Sequence, residues 1–142
     1  MSDLSVLTRM RHENARRRML TVVEKRQLSP AYLAIRFGSA DWEGFHSAAP
    51  DDHIKLILPG APEAGGKPPM RDYTPRAFDA ATGELTVEFA LHDDPGPATA
   101  WAIAAQVGDT VEIGGPRGST LIAPTLDWYL LLGDEAALPA IR

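Results

Sequence analysis

The sequence has no cysteine among its 142 residues, which excludes a disulfide framework, a thiolate nucleophile and a cysteine-ligated iron–sulfur cluster. It has no apolar run long enough to span a bilayer as a helix. Its start is polar and basic rather than signal-like, so a cytoplasmic protein without membrane insertion is expected. The histidines are few: His12, His46, His53 and His92 lack ligand spacing such as His-x-x-x-His, and no protein-bound metal is expected. What the chain has in quantity is punctuation, with 12 Pro and 12 Gly, which favours many short strands over a helical bundle. With 44% hydrophobic and 23% charged residues, it has the composition of one ordinary globular domain with a real core.

The net charge of −5 is unevenly spread. Residues 1–26 hold seven Lys/Arg against three acids, and the rest holds seven against sixteen. A basic arm of this kind can bind nucleic acid, but it has no interleaved aromatics and no nucleic-acid motif. A solvated N-terminal arm over residues 1–17, with a short helix around Leu4–Asn14 leading into the first strand, accounts for it better, and no nucleic-acid partner is expected.

Alternation of apolar residues predicts strands over Arg18–Arg26, Tyr32–Gly38, His53–Leu58, Leu85–Leu91, Thr110–Gly114 and Ser119–Ile122, with a further extended segment from Arg71. Residues 59–69 form a breaker-rich loop, expected to be mobile. Pro97–Gln106 reads as a short helix. These elements predict a mainly β domain over residues 18–123: a small closed antiparallel barrel of Greek-key type with one short helix. Beyond Pro124, Trp128–Leu132 is a continuous apolar stretch, Gly133-Asp134-Glu135 a turn, and Ala136 onward helical. Residues 124–142 thus read as the first strand–helix unit of an incomplete α/β domain. The chain is expected to be the front part of a longer protein or to dock on a partner.

Two runs carry chemistry. Residues 71–76 read Arg-Asp-Tyr-Thr-Pro-Arg, and Pro75 keeps Thr74 out of the helical region, so the run is extended. Arg71, Tyr73 and Pro75 then point one way, and Asp72, Thr74 and Arg76 the other. A guanidinium that grips phosphate through a planar fork, at about 1.5–3 kcal/mol per charge-assisted bond, sits beside a ring suited to stacking. A flat phosphorylated cofactor such as a flavin nucleotide needs that pair. The plainer alternative is an Arg–Asp surface pair beside a core tyrosine, and Arg76 either serves ligand charge or pairs with Asp79. In the second run, Gly96 suits a helix N-cap and Pro97 the first helical position, where no N–H is needed. The N–H groups of Ala98 and Thr99 then open the helix, and with its dipole they form an anion site, the Thr99 hydroxyl adding a donor. The plainer alternative is an ordinary capped helix packing Trp101 and Ile103 into the core. His92 falls on the face opposite Leu85, Val87, Phe89 and Leu91. The pairs Asp51-Asp52 and Asp93-Asp94 read as turn caps, since neighbours on an extended chain face apart and make no acid–base dyad.

Arg71-Asp-Tyr-Thr-Pro-Arg76, His92-Asp-Asp-Pro-Gly-Pro-Ala-Thr-Ala-Trp101-Ala, Gly115-Pro-Arg-Gly118 and Gly133-Asp-Glu-Ala-Ala-Leu-Pro-Ala140 occur in that order. From about Arg18 to the end the chain resembles the siderophore-interacting, FAD-dependent ferric-siderophore reductases, relatives of the ferredoxin–NADP reductases. The resemblance implies a flavin-binding barrel followed by a nicotinamide-nucleotide domain, with FAD as cofactor, NAD(P)H as donor, a ferric siderophore as substrate, and reduction of chelated iron as the activity. It also implies roles. Arg71 holds the diphosphate within the Arg71–Thr74 run, Asp72 included. Tyr73 packs on the ring, and Thr74 and His92 hydrogen-bond the flavin. Gly115 and Gly118 approach the nucleotide portion, and Lys55 attracts the anionic chelate, a substrate-side role that the residues themselves leave open for Arg76 as well. Asp134 and Glu135 would lie beside the nicotinamide. No residue need act as nucleophile. Two other readings of the residues remain: a non-catalytic barrel binding a siderophore or another anionic small molecule without flavin, and a nucleic-acid-binding barrel using the basic arm.

Overall fold

The computed structural model describes residues 6–141. The strands are β1 (Leu7–Arg11), β2 (Arg17–Ser29), β3 (Tyr32–Gly38), β4 (Ile54–Ile57), β5 (Met70–Tyr73), β6 (Ala77–Asp79), β7 (Glu84–Ala90), β8 (Thr110–Gly114) and β9 (Gly118–Ile122); the helices are α1 (Pro97–Ala104) and α2 (Leu138–Ile141). Seven strands form one antiparallel sheet in the order β5-β4-β8-β2-β3-β7-β6. Local hairpins (β2–β3, β4–β5, β6–β7) are joined by crossings that bring β8 between β2 and β4, a Greek-key arrangement. The mainly β, antiparallel fold is as the sequence predicts.

The alternating strands bury the expected faces. Leu33, Ile35 and Phe37 of β3, Ile54 and Leu56 of β4 with Leu58 just beyond, and Leu85, Val87 and Phe89 of β7 belong to one core. Burying a side chain of this kind contributes about 1.5–3 kcal/mol. Helix α1 lays Ala98, Ala102 and Ala105 on that core, and Trp101 stacks on Phe37 with centroids 6.2 Å apart. The Lys25 ammonium fixes its far end, donating to the carbonyls of Ile103 (2.9 Å) and Ala105 (2.8 Å), groups that a helix C-terminus otherwise leaves unpaired.

Three expectations change. The predicted N-terminal helix is strand β1, which pairs antiparallel with β9 from Leu7↔Ile122 to Arg11↔Gly118. The free edge of β9 recruits the arm, because a strand edge carries unpaired N–H and C=O groups that a second strand satisfies; the first residues of the predicted helix lie outside the described residues. The sheet curls without closing: among the described residues β5 and β6 are its two edges and do not pair with each other. Trp128–Leu132 is not a strand, having no ladder partner among the described residues, and Trp128 is 78% and Leu132 82% exposed. A parallel strand needs a neighbour, and the sheet offers none here. The helix expected from Ala136 onward is present as α2, entered through Asp134, whose carboxylate accepts the N–H groups of Ala136 (3.0 Å) and Ala137 (3.2 Å).

Gly118 sits where the ribbon is tightest. A Cβ there would lie 2.5 Å from the Met10 carbonyl oxygen. Gly118→Ala is therefore expected to loosen β1 from β9, costing about 1–2 kcal/mol locally. Hydrogen exchange should speed up at the β1 amides while the seven-stranded sheet keeps its protection; unchanged protection in β1 would contradict the close approach.

Candidate functional site

The run from Arg71 to Arg76 bridges the open seam of the sheet. Strand β5 ends at Tyr73, three residues cross, and β6 begins at Ala77, with the Arg76 N–H already bonded to the Thr86 carbonyl at 2.9 Å. The register of β4 with β5 sets Tyr73 opposite Ile54 and Arg71 opposite Leu56. Directly opposed residues share a face, so Arg71 and Tyr73 lie on the inner, core side. Tyr73 packs its ring 4.6 Å from Phe89. Asp72, opposite Lys55, lies on the outer side and pairs with its ammonium at 2.5 Å.

A cavity of about 430 Å³ opens along this seam, a size typical of small-molecule sites. One wall is Arg71, Asp72, Tyr73 and Thr74. The facing wall is the start of α1: Gly96, Ala98 and Thr99. Gly96 is the N-cap, extended at φ −71° and ψ 179°, and no side chain caps the helix. The first intrahelical bond comes from Ala100 N–H to Gly96 O (2.9 Å), so the N–H groups of Ala98 and Thr99 precede the ladder. A Cβ at Gly96 would meet nothing within 4 Å. Pro97 occupies the first helical position without itself lining the cavity. Glu88, Ala90 and His92 form the floor. They share the face of β7 turned away from Leu85, Val87 and Phe89, as alternation requires. Asp51 to His53, Ala136 and Pro139 complete the lining. Arg71, Asp72, Tyr73, Thr74, His92, Gly96, Ala98 and Thr99, separated by up to 28 positions, thus meet in one cavity.

A second cavity, of about 390 Å³, adjoins the first at His53 and lies on the outer face of β4. Lys55, Arg16, Arg17, Arg117 and Gly115 line it. Arg16 and Arg17 are engaged by Asp41 and Glu112, and Lys55 by Asp72. Gly115, at φ 87°, turns the chain there.

Several expected placements differ. Arg76 does not join Lys55 or Asp79; it lines a separate hollow beside Thr74, with its Nε 3.9 Å from a Glu88 carboxylate oxygen. Its backbone leads into β6, which turns it away from the β4 face. Gly118 borders neither of the two cavities, since its close approach is to β1. Asp52 is the turn cap the sequence suggests: its Oδ2 accepts from the Ser47 hydroxyl (2.7 Å) and the N–H groups of Ala48 (2.8 Å) and Ala49 (3.2 Å). The loop expected to be mobile holds a closed turn, Glu63 N–H to Lys67 O at 2.9 Å and Gly66 N–H to Glu63 O at 3.0 Å, and its Glu63 reaches Arg71. Sequence reasoning missed Glu63, Glu88, Arg17 and Arg117. The parity of β7 signals Glu88, whereas nothing local signals Glu63, eight residues from its partner.

A family profile described as "Siderophore-interacting FAD-binding domain" matches residues 21–66 and 60–120. The chain belongs to that family. It is 36% identical to the NADPH-dependent ferric-chelate reductase of Escherichia coli K12, over 88% of this chain and 54% of that protein. It is 30% identical to the ferric vibriobactin reductase ViuB of Vibrio cholerae, over 87% and 51%. Among solved structures, a siderophore utilization protein from T. fusca superposes with a TM-score of 0.84 at 36% identity, over 95% of this chain and 57% of that one. The chain spans about half the length of the curated relatives it matches. Among the described residues no helix is long and apolar enough to cross a membrane.

For this FAD-binding domain the electrostatics centre on the Glu63–Arg71 pair. The Arg71 guanidinium beside Glu63 holds its carboxyl below the usual glutamate value of 4.5. Because the folded value is lowered, the tether acts fully above the ordinary carboxylate range and is lost as pH falls through the lowered value. Carbon-detected NMR titration should show Glu63 with a midpoint below that of a free glutamate, returning to the ordinary value in Arg71→Ala. An ordinary midpoint in the parent protein would contradict the pairing.

Proposed function

We propose that this chain is the FAD-binding part of an NAD(P)H-dependent ferric-siderophore reductase, acting in the cytoplasm on iron held in an anionic chelate. The observation that carries this reading is that Arg71 and the uncapped first turn of α1, at Ala98 and Thr99, line one cavity. Two kinds of phosphate donor facing one space fit a diphosphate. The residues suit the rest of the cofactor too. Tyr73, braced on Phe89, offers an aromatic wall for a flat ring. Thr74 and His92 supply polar groups, and Gly96 leaves room for close backbone approach. Asp72 acts indirectly, through Lys55.

When bound, the flavin supplies the redox chemistry that links a hydride donor to one-electron reduction of iron. The chain's own residues bind it, orient it and draw the substrate in. Lys55, with Arg17 and Arg117, gives the outer cavity a cationic lining that attracts anionic ferric chelates. His53, common to both cavities, brings that lining next to the flavin cavity. Residues 124–142 would begin the nicotinamide-nucleotide part, with the turn at Asp134–Ala137 closing over the cavity through Ala136. The remainder of that part would come from a longer chain.

Purified protein titrated with FAD should develop a perturbed flavin spectrum in the visible. Arg71→Ala is expected to lower FAD affinity at least tenfold, about 1.4 kcal/mol or more, with circular dichroism unchanged. Full FAD affinity in that variant would overturn the assignment. Lys55→Ala should keep FAD binding and weaken quenching by an anionic ferric chelate, with little effect on a neutral one. This chain alone should oxidise NAD(P)H poorly, and steady turnover would contradict the placement of the nucleotide site beyond it.

A further inference from the structure

Arg71 is held before any ligand arrives. Its Nη2 donates to Glu63 Oε1 at 2.7 Å, and its Nη1 donates to Glu63 Oε2 at 3.3 Å and to the Met70 carbonyl at 2.8 Å. A guanidinium has five N–H donors in one plane, so three are used. The two left are the Nε–H and the second Nη2–H. They lie along one edge of the plane, in the parallel arrangement that matches two oxygens of a phosphate. Glu63 is itself fixed by its closed turn, in which Gly65 (φ 87°) and Gly66 (φ 73°) adopt the left-handed backbone that L side chains disfavour.

We propose that Glu63 is a positioning residue for the flavin diphosphate: it clamps the end of the Arg71 guanidinium so that the remaining two-donor edge is preset for phosphate. The inference rests on the reading of the cavity as the FAD site. Glu63 works in two opposed ways. Its charge offsets part of the attraction between Arg71 and an anion, and its bonds remove the rotational freedom that Arg71 would otherwise lose on binding. Both side chains are about half exposed, at 41% and 48%, so solvent screens the charge effect. The geometric effect is not screened, and it dominates.

The test measures FAD affinity by fluorescence quenching in the parent protein and in Glu63→Gln, Arg71→Lys and the double variant, with riboflavin as a phosphate-free probe. Glu63→Gln should bind FAD about fivefold more weakly while its riboflavin affinity is unchanged. In Arg71→Lys, where no fork remains to orient, adding Glu63→Gln should have no further effect. Tighter FAD binding by Glu63→Gln would overturn the proposal and make Glu63 a competitor for the guanidinium. An equal loss in the Arg71→Lys background would overturn it too, by showing that Glu63 acts without the fork. A parent protein that fails to bind FAD would overturn the reading of the cavity, and this inference with it; FAD binding indifferent to Glu63 removes this inference alone.

Discussion

Between Tyr73 and Ala77 the chain passes from one edge of the sheet to the other in three residues, and the cavity is the gap that this crossing leaves. Closing the seam with ladder hydrogen bonds would bring β5 and β6 side by side and leave no room for a ligand. Pro75 works against such closure, because it has no N–H to give to a ladder and restricts the residue before it. An unclosed edge normally invites pairing with another chain. Here the edge ends in a polar turn, and a carboxylate from the preceding loop engages its arginine.

The second requirement is a helix with one end closed and the other open. Lys25 satisfies the last carbonyls of α1, and the apolar stripe of Ala98, Ala102 and Ala105 holds it on the core. At the first turn no side chain caps the amides, and a glycine stands at the N-cap. A Ser, Asp or Asn there would satisfy one of those N–H groups internally and stabilise the helix by about 1 kcal/mol. Leaving that stabilisation out keeps the donors free for a ligand. The two faces of the β4–β5 pair then divide the chemistry. The inner face carries Arg71 and Tyr73 to the seam, and the outer face carries Lys55 to a separate cationic hollow, so the two cavities are lined by different cations.

Much of this was legible because it depends on local rules. Period-two alternation identified the buried faces of β3, β4 and β7, and the same parity placed His92 away from the core, on the face shared with Glu88 and Ala90. Pro97 after Gly96 located the start of α1. The failures involve partners distant in sequence. Whether Leu7–Arg11 becomes helix or strand depends on β9, over a hundred residues away. Whether the sheet closes depends on the three-residue crossing between its edges. Trp128–Leu132 is apolar enough for a strand, but a strand exists only with a neighbour, and periodicity cannot supply one. Glu63 was invisible because its role comes from where a turn delivers its carboxylate.

The ribbon of β1 and β9 is less detached from the site than the topology suggests. Ser119, on β9, has one hydroxyl proton, which it donates to Asp52 Oδ2 at 2.8 Å. The contact between Ser119 Oγ and His12 Nε2, also 2.8 Å, must then be a bond in which the ring nitrogen carries the proton and donates. Asp52 gathers the turn at Ser47–Ala49 with the same oxygen and is followed directly by His53, the residue common to both cavities. His12, Ser119 and Asp52 are all buried, so each bond removed would leave a polar group without water to replace it, at about 1–3 kcal/mol. The arm that reads from sequence as a basic appendage is therefore fastened, through three buried side chains, to the segment that joins the seam cavity to the outer cationic one.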